Sequence, residues 1–259
     1  MKINLKKLFV TAIIGAGVFI SQPAQAFMGY WYDYNSDWIQ QDIMRRTFEN
    51  HNRVFGNNTN NNSSSGKSSS SKSTGSSKSK SSSQTSSKPK PAKKAKITFK
   101  SDGNTRGLDY FVNNYPSKQR GEARTYLKQM QDSFPQVARS VGIPTNDLSS
   151  GLAAAIAGAY MAYNNVSLND DYMKPMQNQL KTVLQGVDDF DKMSDSDKKY
   201  IYDQMVIIGM TLTINQYQNQ QNPNAKVTAQ LRNAGKQVLE GLLGVSASKV
   251  KITSSGLSY

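Results

Sequence analysis

Residues 151–163 read GLAAAIAGAYMAY, thirteen positions with no charge, no amide and no hydroxyl beyond those of two tyrosines. At helical angles Leu148, Leu152, Ile156, Tyr160, Tyr163 and Val166 form one ridge of large side chains. Gly151, Ala154, Ala155, Gly158 and Ala162 make a flat face of small ones, and Ala153, Ala157 and Met161 fill the remaining arc. A helix that is apolar all round lies either at the centre of a domain or across a membrane. The run is shorter than the ~20 residues a span needs and ends in Asn164-Asn165. A buried central helix is therefore expected.

Residues 205–212, MVIIGMTL, form a second segment of the same kind. Each segment has a glycine in its middle, where glycine costs about 1 kcal/mol against alanine. Backbone contact between the two helices at Gly158 and Gly209 would offset that cost, so the pair is expected to cross there.

The remaining folded sequence surrounds this pair. A first helix is expected from Ser117 to Gly142, with Ala123, Leu127, Met130 and Phe134 inward and a kink or break at Pro135. The central helix at 151–163 takes Asn146 as its cap, with Asp147 in the first turn. A third helix covers 171–185, and a fourth starts at the near capping box Ser194-Asp195-Ser196-Asp197. Asn222-Pro223-Asn224 then opens a fifth, which Gly244 ends. No strand pattern is sustained between Tyr115 and Gly244, so the class is all-α, a bundle of about five helices. Two short alternating stretches, 97–99 and 250–253, are expected to pair as strands.

Three segments, AAAIAGAYMAYN at 153–164, IYDQMVIIGMTL at 201–212 and LRNAGKQVLEGLLG at 231–244, resemble a family of exported bacterial proteins whose helical C-terminal domain has no assigned activity. The resemblance covers roughly residues 100–255. It implies an α-helical fold and export, and it supplies no catalytic residue.

The N-terminal third is organised differently. Residues 1–26 read as a secretory signal, with Lys2, Lys6 and Lys7 before an apolar core at 8–20 and Ala24-Gln25-Ala26 at the cleavage site. The mature chain would begin at Phe27 and carry no transmembrane segment. Residues 27–55 hold both tryptophans, Trp31 and Trp38, with Tyr32 and five further aromatics. This amphipathic segment needs something to dock on, either its own domain, a partner or a membrane surface. Residues 56–96 are Asn-, Ser- and Lys-rich, with no apolar side chain beyond alanine and proline, and read as a disordered tether. The folded domain is assigned to 97–259.

The formal charge of +14 belongs mainly to the tether, which carries nine lysines and no acid, whereas 97–259 is close to neutral at +3. Lysines such as Lys88, Lys90, Lys93 and Lys94 suit a polyanionic surface. They lack the interleaved aromatics that base stacking requires, so sequence-specific nucleic acid is not expected.

Catalytic chemistry is sparse. The chain has no Cys, and its one His, His51, lies outside the domain. Ser-His-Asp relays, thiol nucleophiles and the usual zinc sites are therefore excluded from the domain. The acidic run Asp188, Asp189, Asp191, Asp195 and Asp197 lacks the central Gly and closing Glu of an EF-hand, and reads as a solvated turn. Asp203, the one acid within the apolar helix pair, is expected on an exposed helix edge. Tyr160 and Tyr163 are one turn apart and stand as candidates for the rim of a groove.

No catalytic residue, metal site or cofactor is assigned. The expectation is a periplasmic or secreted, non-enzymatic binding protein, using Trp31, Tyr32, Trp38, Tyr160, Tyr163 and the tether lysines toward an envelope protein or a polyanionic surface. An adhesion role through the tether is the second reading, and a carboxylate-dependent cell-wall hydrolase the third.

Overall fold

The protein is seen in a computed structural model that describes residues 94–259. The expectations for the signal, the aromatic segment and the tether as far as Lys93 lie outside the described residues.

The elements follow from local signals. Helix α1 (Arg106–Val112) buries Leu108, Phe111 and Val112. A 3-10 turn, Ser117–Gln119, leads into α2 (Arg120–Ser140). Then come α3 (Leu148–Asn164), α4 (Met173–Gln185), the one-turn α5 (Asp189–Lys192), α6 (Asp195–Gln221) and α7 (Ala225–Leu243). A terminal hairpin pairs β1 (Lys251–Thr253) with β2 (Gly256–Ser258). The five expected helices are α2, α3, α4, α6 and α7, so the all-α bundle is what forms.

Helix starts follow side-chain chemistry. Ser194 accepts from the Asp197 N–H at 3.1 Å, and its hydroxyl donates back to the Asp197 carboxylate at 2.7 Å. Asn224 accepts from Lys226 and Val227 N–H. At α3 the cap is Asp147 rather than Asn146. Asn146 takes a left-handed φ of 54°, which asparagine tolerates, and so puts the Asp147 carboxylate against the Ser149 N–H at 2.9 Å. Nor does Pro135 break α2, which runs through it with Phe134, Val137 and Ala138 buried on either side. That packing holds the helix together despite the missing N–H.

Helices α3 and α6 form the centre and run parallel. Gly151 lies against Tyr202 and Met205, and Gly158 against Gly209. An added Cβ at Gly158 would fall onto the Gly209 carbonyl and come within 3.0 Å of the Gly209 Cα. One at Gly209 would fall onto the Ala154 carbonyl, with the Ala155 nitrogen 2.7 Å away. The expected glycine crossing is therefore present, with main chain against main chain. A third close approach was not expected: Gly235 of α7 lies on the Ala159 carbonyl and the Tyr163 nitrogen. Helix α3 thus meets α6 and α7 across its small-residue faces. Leu152, Ala153, Ala155, Ile156 and Ala159 are completely buried, as are Val206, Ile207 and Ile208 of α6.

The expected pairing of 97–99 with 250–253 does not form. Residues 250–253 turn back on 256–258, and Gln179 of α4 holds that hairpin, donating to the Leu257 carbonyl and accepting its N–H at 2.6 Å. Thr98 instead makes an antiparallel bridge with Asp147.

Replacing Gly209 with alanine should destabilise the domain by about 3 kcal/mol or more, because the new methyl meets backbone that cannot turn aside. Gly121, in the first turn of α2, has open space around it, so Gly121→Ala should stabilise by about 0.5–1 kcal/mol. Urea-unfolding midpoints of the two variants should move in opposite directions.

Candidate functional site

The chain enters the domain as a strap. Ala95, Ile97 and Phe99 are buried, alternating with exposed Lys94, Lys96, Thr98 and Lys100. Ala95 N–H donates to the Gln185 carbonyl, Phe99 N–H donates to the Asn146 carbonyl, and the Ile97 carbonyl accepts Leu148 N–H. Two further backbone donors of the strap go to carboxylates. Lys96 N–H reaches Asp191 at 2.9 Å, and Lys100 N–H reaches Asp195 at 3.0 Å. Asp197 pairs with Arg106 at 3.0 Å. The acidic run is thus not simply a solvated turn, since two of its members fasten the strap. Among the described residues no group of three acids, His or Cys is placed to hold a metal ion.

Asp203 corrects a second expectation. It is 2% exposed and forms an ion pair with Lys199, itself buried, one turn earlier on α6. Gly107 of α1 lies so close that an added Cβ would come within 2.5 Å of the Asp203 Cβ. Burial pushes the Asp203 carboxyl above its ordinary range, opposed by the hydrogen bond and charge of Lys199. Such a raised acid is a catalytic candidate in a cleft. Here it is roofed by a helix and committed to a lysine, which is the geometry of a structural pair.

Of the other candidates, Lys94 is exposed beside the strap, and Tyr160 and Tyr163 are half-buried near the C-terminal end of α3. Trp31, Tyr32, Trp38, Lys88, Lys90 and Lys93 lie outside the described residues. The structure does bring Tyr163 against α7, where its carbonyl accepts from Arg232 Nε at 3.3 Å.

The end of the bundle opposite the strap has a distinct chemistry. Because α3 and α6 are parallel, their C-termini meet there, together with the N-terminus of α7. Residues 215–224, NQYQNQQNPN, contain eight amide side chains, and no acid, Lys or Arg occurs in 148–169 or in 204–225. Gln216 Nε2 donates to Asn165 Oδ1 at 2.6 Å, and the Ser167 hydroxyl donates to Gln220 Oε1 at 2.9 Å. Asn219 donates to the Thr228 hydroxyl at 2.7 Å. Val166, the most exposed large apolar side chain among the described residues, lies on this end at 39%. The signal for it in the sequence was the run of amides, whose meaning depends on the parallel helix pair.

The chain belongs to a family of unknown function (DUF6683), whose model matches residues 8–259. That match takes in the residues before 97 and so reaches beyond the 100–255 over which the helical motifs carry the resemblance. No curated protein and no solved structure matches. Among the described residues no helix is long and apolar enough to cross a membrane.

Removing one partner of the buried pair, with Lys199→Met, should cost about 3–5 kcal/mol by stranding a buried carboxylate. The double variant Lys199→Met with Asp203→Leu should recover most of that loss in thermal unfolding. Acid should act through the strap. Asp195 is held below its ordinary value of 3.8, first by the Lys100 N–H, and Asp197 below the same value, first by the Ser194 hydroxyl and then by Arg106. Their contribution is complete above the unfolded value and is lost as pH falls through the lowered folded values. Asp203 has the opposite sign, because its raised carboxyl is more easily protonated when folded. Asp195→Asn should therefore weaken the loss of stability on acidification below about pH 4, read from denaturant midpoints at stepwise lower pH.

Proposed function

We propose that this protein is an exported, non-enzymatic binding protein of the bacterial envelope or extracellular space, a helical domain carried on a basic tether. The observation that carries the reading is the division of labour between the two ends of the domain. The tether joins at one end through the strap, where the acids are used to fasten it. The opposite end is uncharged along α3 and α6, bears half-buried tyrosines and amides, and faces away from the attachment. Helix α6, with its 27 residues, separates the two by about 40 Å at 1.5 Å per residue. Support also comes from Asp203, whose pairing with Lys199 under α1 leaves it poorly placed to act on a substrate.

A second reading, adhesion to polyanions, is favoured by the lysines of residues 56–96, which carry no compensating acid. The aromatic segment at 27–55 would add a docking element to either arrangement.

Salt separates the two readings, because attraction between exposed charges is screened within about 3 Å at 1 M ionic strength. Binding of the mature chain to isolated cell-envelope sacculi should persist in about 1 M salt and survive deletion of residues 56–96. Loss under both conditions would assign binding to the tether. Clearing of the sacculus suspension by the mature chain would contradict the non-enzymatic reading.

A further inference from the structure

We propose that the amide-rich end of the bundle, where the C-termini of α3 and α6 meet the start of α7, binds a neutral polysaccharide. The inference rests on the reading of the protein as a binding protein and names the ligand class of its outward end.

The chemistry of this end is selective. Sugar hydroxyls both donate and accept, and an amide side chain answers both functions from one group. Asn164 and Asn165 are exposed at the end of α3, and Gln220 and Gln221 at the end of α6 present further amides. These groups are held in place. Asn165 is fixed by Gln216, whose own Oε1 is buried without a hydrogen-bond donor among the described residues. Asn164 Nδ2 donates to the Tyr160 carbonyl at 3.0 Å, and Gln220 accepts from Ser167. A sugar also has an apolar C–H face, and aromatic rings with a polar tip are suited to it. Half-buried Tyr217 on α6, half-buried Tyr160 on α3 and exposed Val166 just beyond α3 offer such surface near these helix ends.

Other ligand classes fit less well. A polyanion gains its affinity from clustered cations, and 148–169 and 204–225 contain none. The start of α7 adds only Lys226 and Arg232, the latter donating its Nε to the Tyr163 carbonyl, while Asp170 and Asp171 follow α3. A protein partner is usually anchored by large apolar or aromatic side chains in a desolvated centre, whereas this end is dominated by amides and hydroxyls. Desolvating those groups without replacing their hydrogen bonds is costly, and a hydroxyl-rich ligand replaces them.

The test uses the mature full chain on an oligosaccharide array carrying neutral glucan and N-acetylglucosamine oligomers beside sulfated and uronic-acid oligomers. The proposal expects binding to at least one neutral series that is unchanged between about 0.1 and 1 M salt. Tyr217→Ala and Tyr160→Ala should each weaken it by about fivefold to tenfold, the scale of one aromatic contact. Tyr217→Phe should retain most of it, since the ring is kept. Unfolding midpoints of the same variants separate lost binding from lost folding, and Gln221→Ala, at an exposed position, provides a variant that leaves the packed core untouched. Absence of binding to both neutral series overturns the proposal, as does binding that all of these substitutions leave unchanged. Salt-resistant binding to sacculi with no neutral-sugar binding would overturn this inference alone and leave the broader binding reading standing, with a protein component as the ligand. Binding confined to sulfated or uronic-acid oligomers overturns it as well and returns the function to the tether.

Discussion

The close approach of α3 to α6 is the constraint on which the domain depends. Two helices separated by ordinary side chains lie 8–10 Å apart, set by the residues at the contact. Where Gly158 meets Gly209, main chain lies on main chain. The neighbouring residues inherit a requirement for small size, which explains why α3 is so rich in alanine. The same helix meets α7 at Gly235, so α3 is gripped on two sides without large side chains. Its large residues, among them Leu152 and Ile156, are then free to fill the space toward the remaining elements. Helix α6 satisfies the complementary condition, with bulky, fully buried Ile207 and Ile208 at helical angles that turn them away from its glycine.

This parallel pairing also polarises the molecule. Parallel helices place like ends together, so the charged beginning of α6 shares one end of the domain with the capped start of α3 and with the strap. Four backbone donors of the strap are met, two by the carboxylates of Asp191 and Asp195 and two by the carbonyls of Asn146 before α3 and Gln185 at the end of α4. That is how an extended segment is held with little sheet to join. The far end collects the amide-rich terminus of α6 and the asparagines that close α3. Asn165 closes α3 in the left-handed conformation, and Gln216 bonds it across to α6.

Much of this was readable from the residues. The two apolar segments, their central glycines and the five long helices follow from composition and spacing, because burial on every side leaves no polar residue in the pattern. What was missed depends on contacts between distant segments. Asp203 looks like a solvent-facing acid from its neighbours alone. Its burial arises because α1 brings Gly107 against it and Lys199 supplies a partner. Residues 97–99 and 250–253 both alternate like strands, but alternation does not name a partner. Thr98 found Asp147, and 250–253 found its own continuation. The cap of α3 shifted by one residue because Asn146 adopts a positive φ that no spacing rule anticipates. The amide-rich end was visible as composition only, since its meaning required knowing that α3 and α6 run the same way.

Native-state hydrogen exchange tests the central claim most directly. If the glycine crossing holds the domain together, amides of α3 around 154–158 and of α6 around 205–212 should exchange only through global unfolding, with protection equal to the full unfolding free energy. Exchange of those amides through a local opening well below that free energy, with α2 and α4 still protected, would contradict the account.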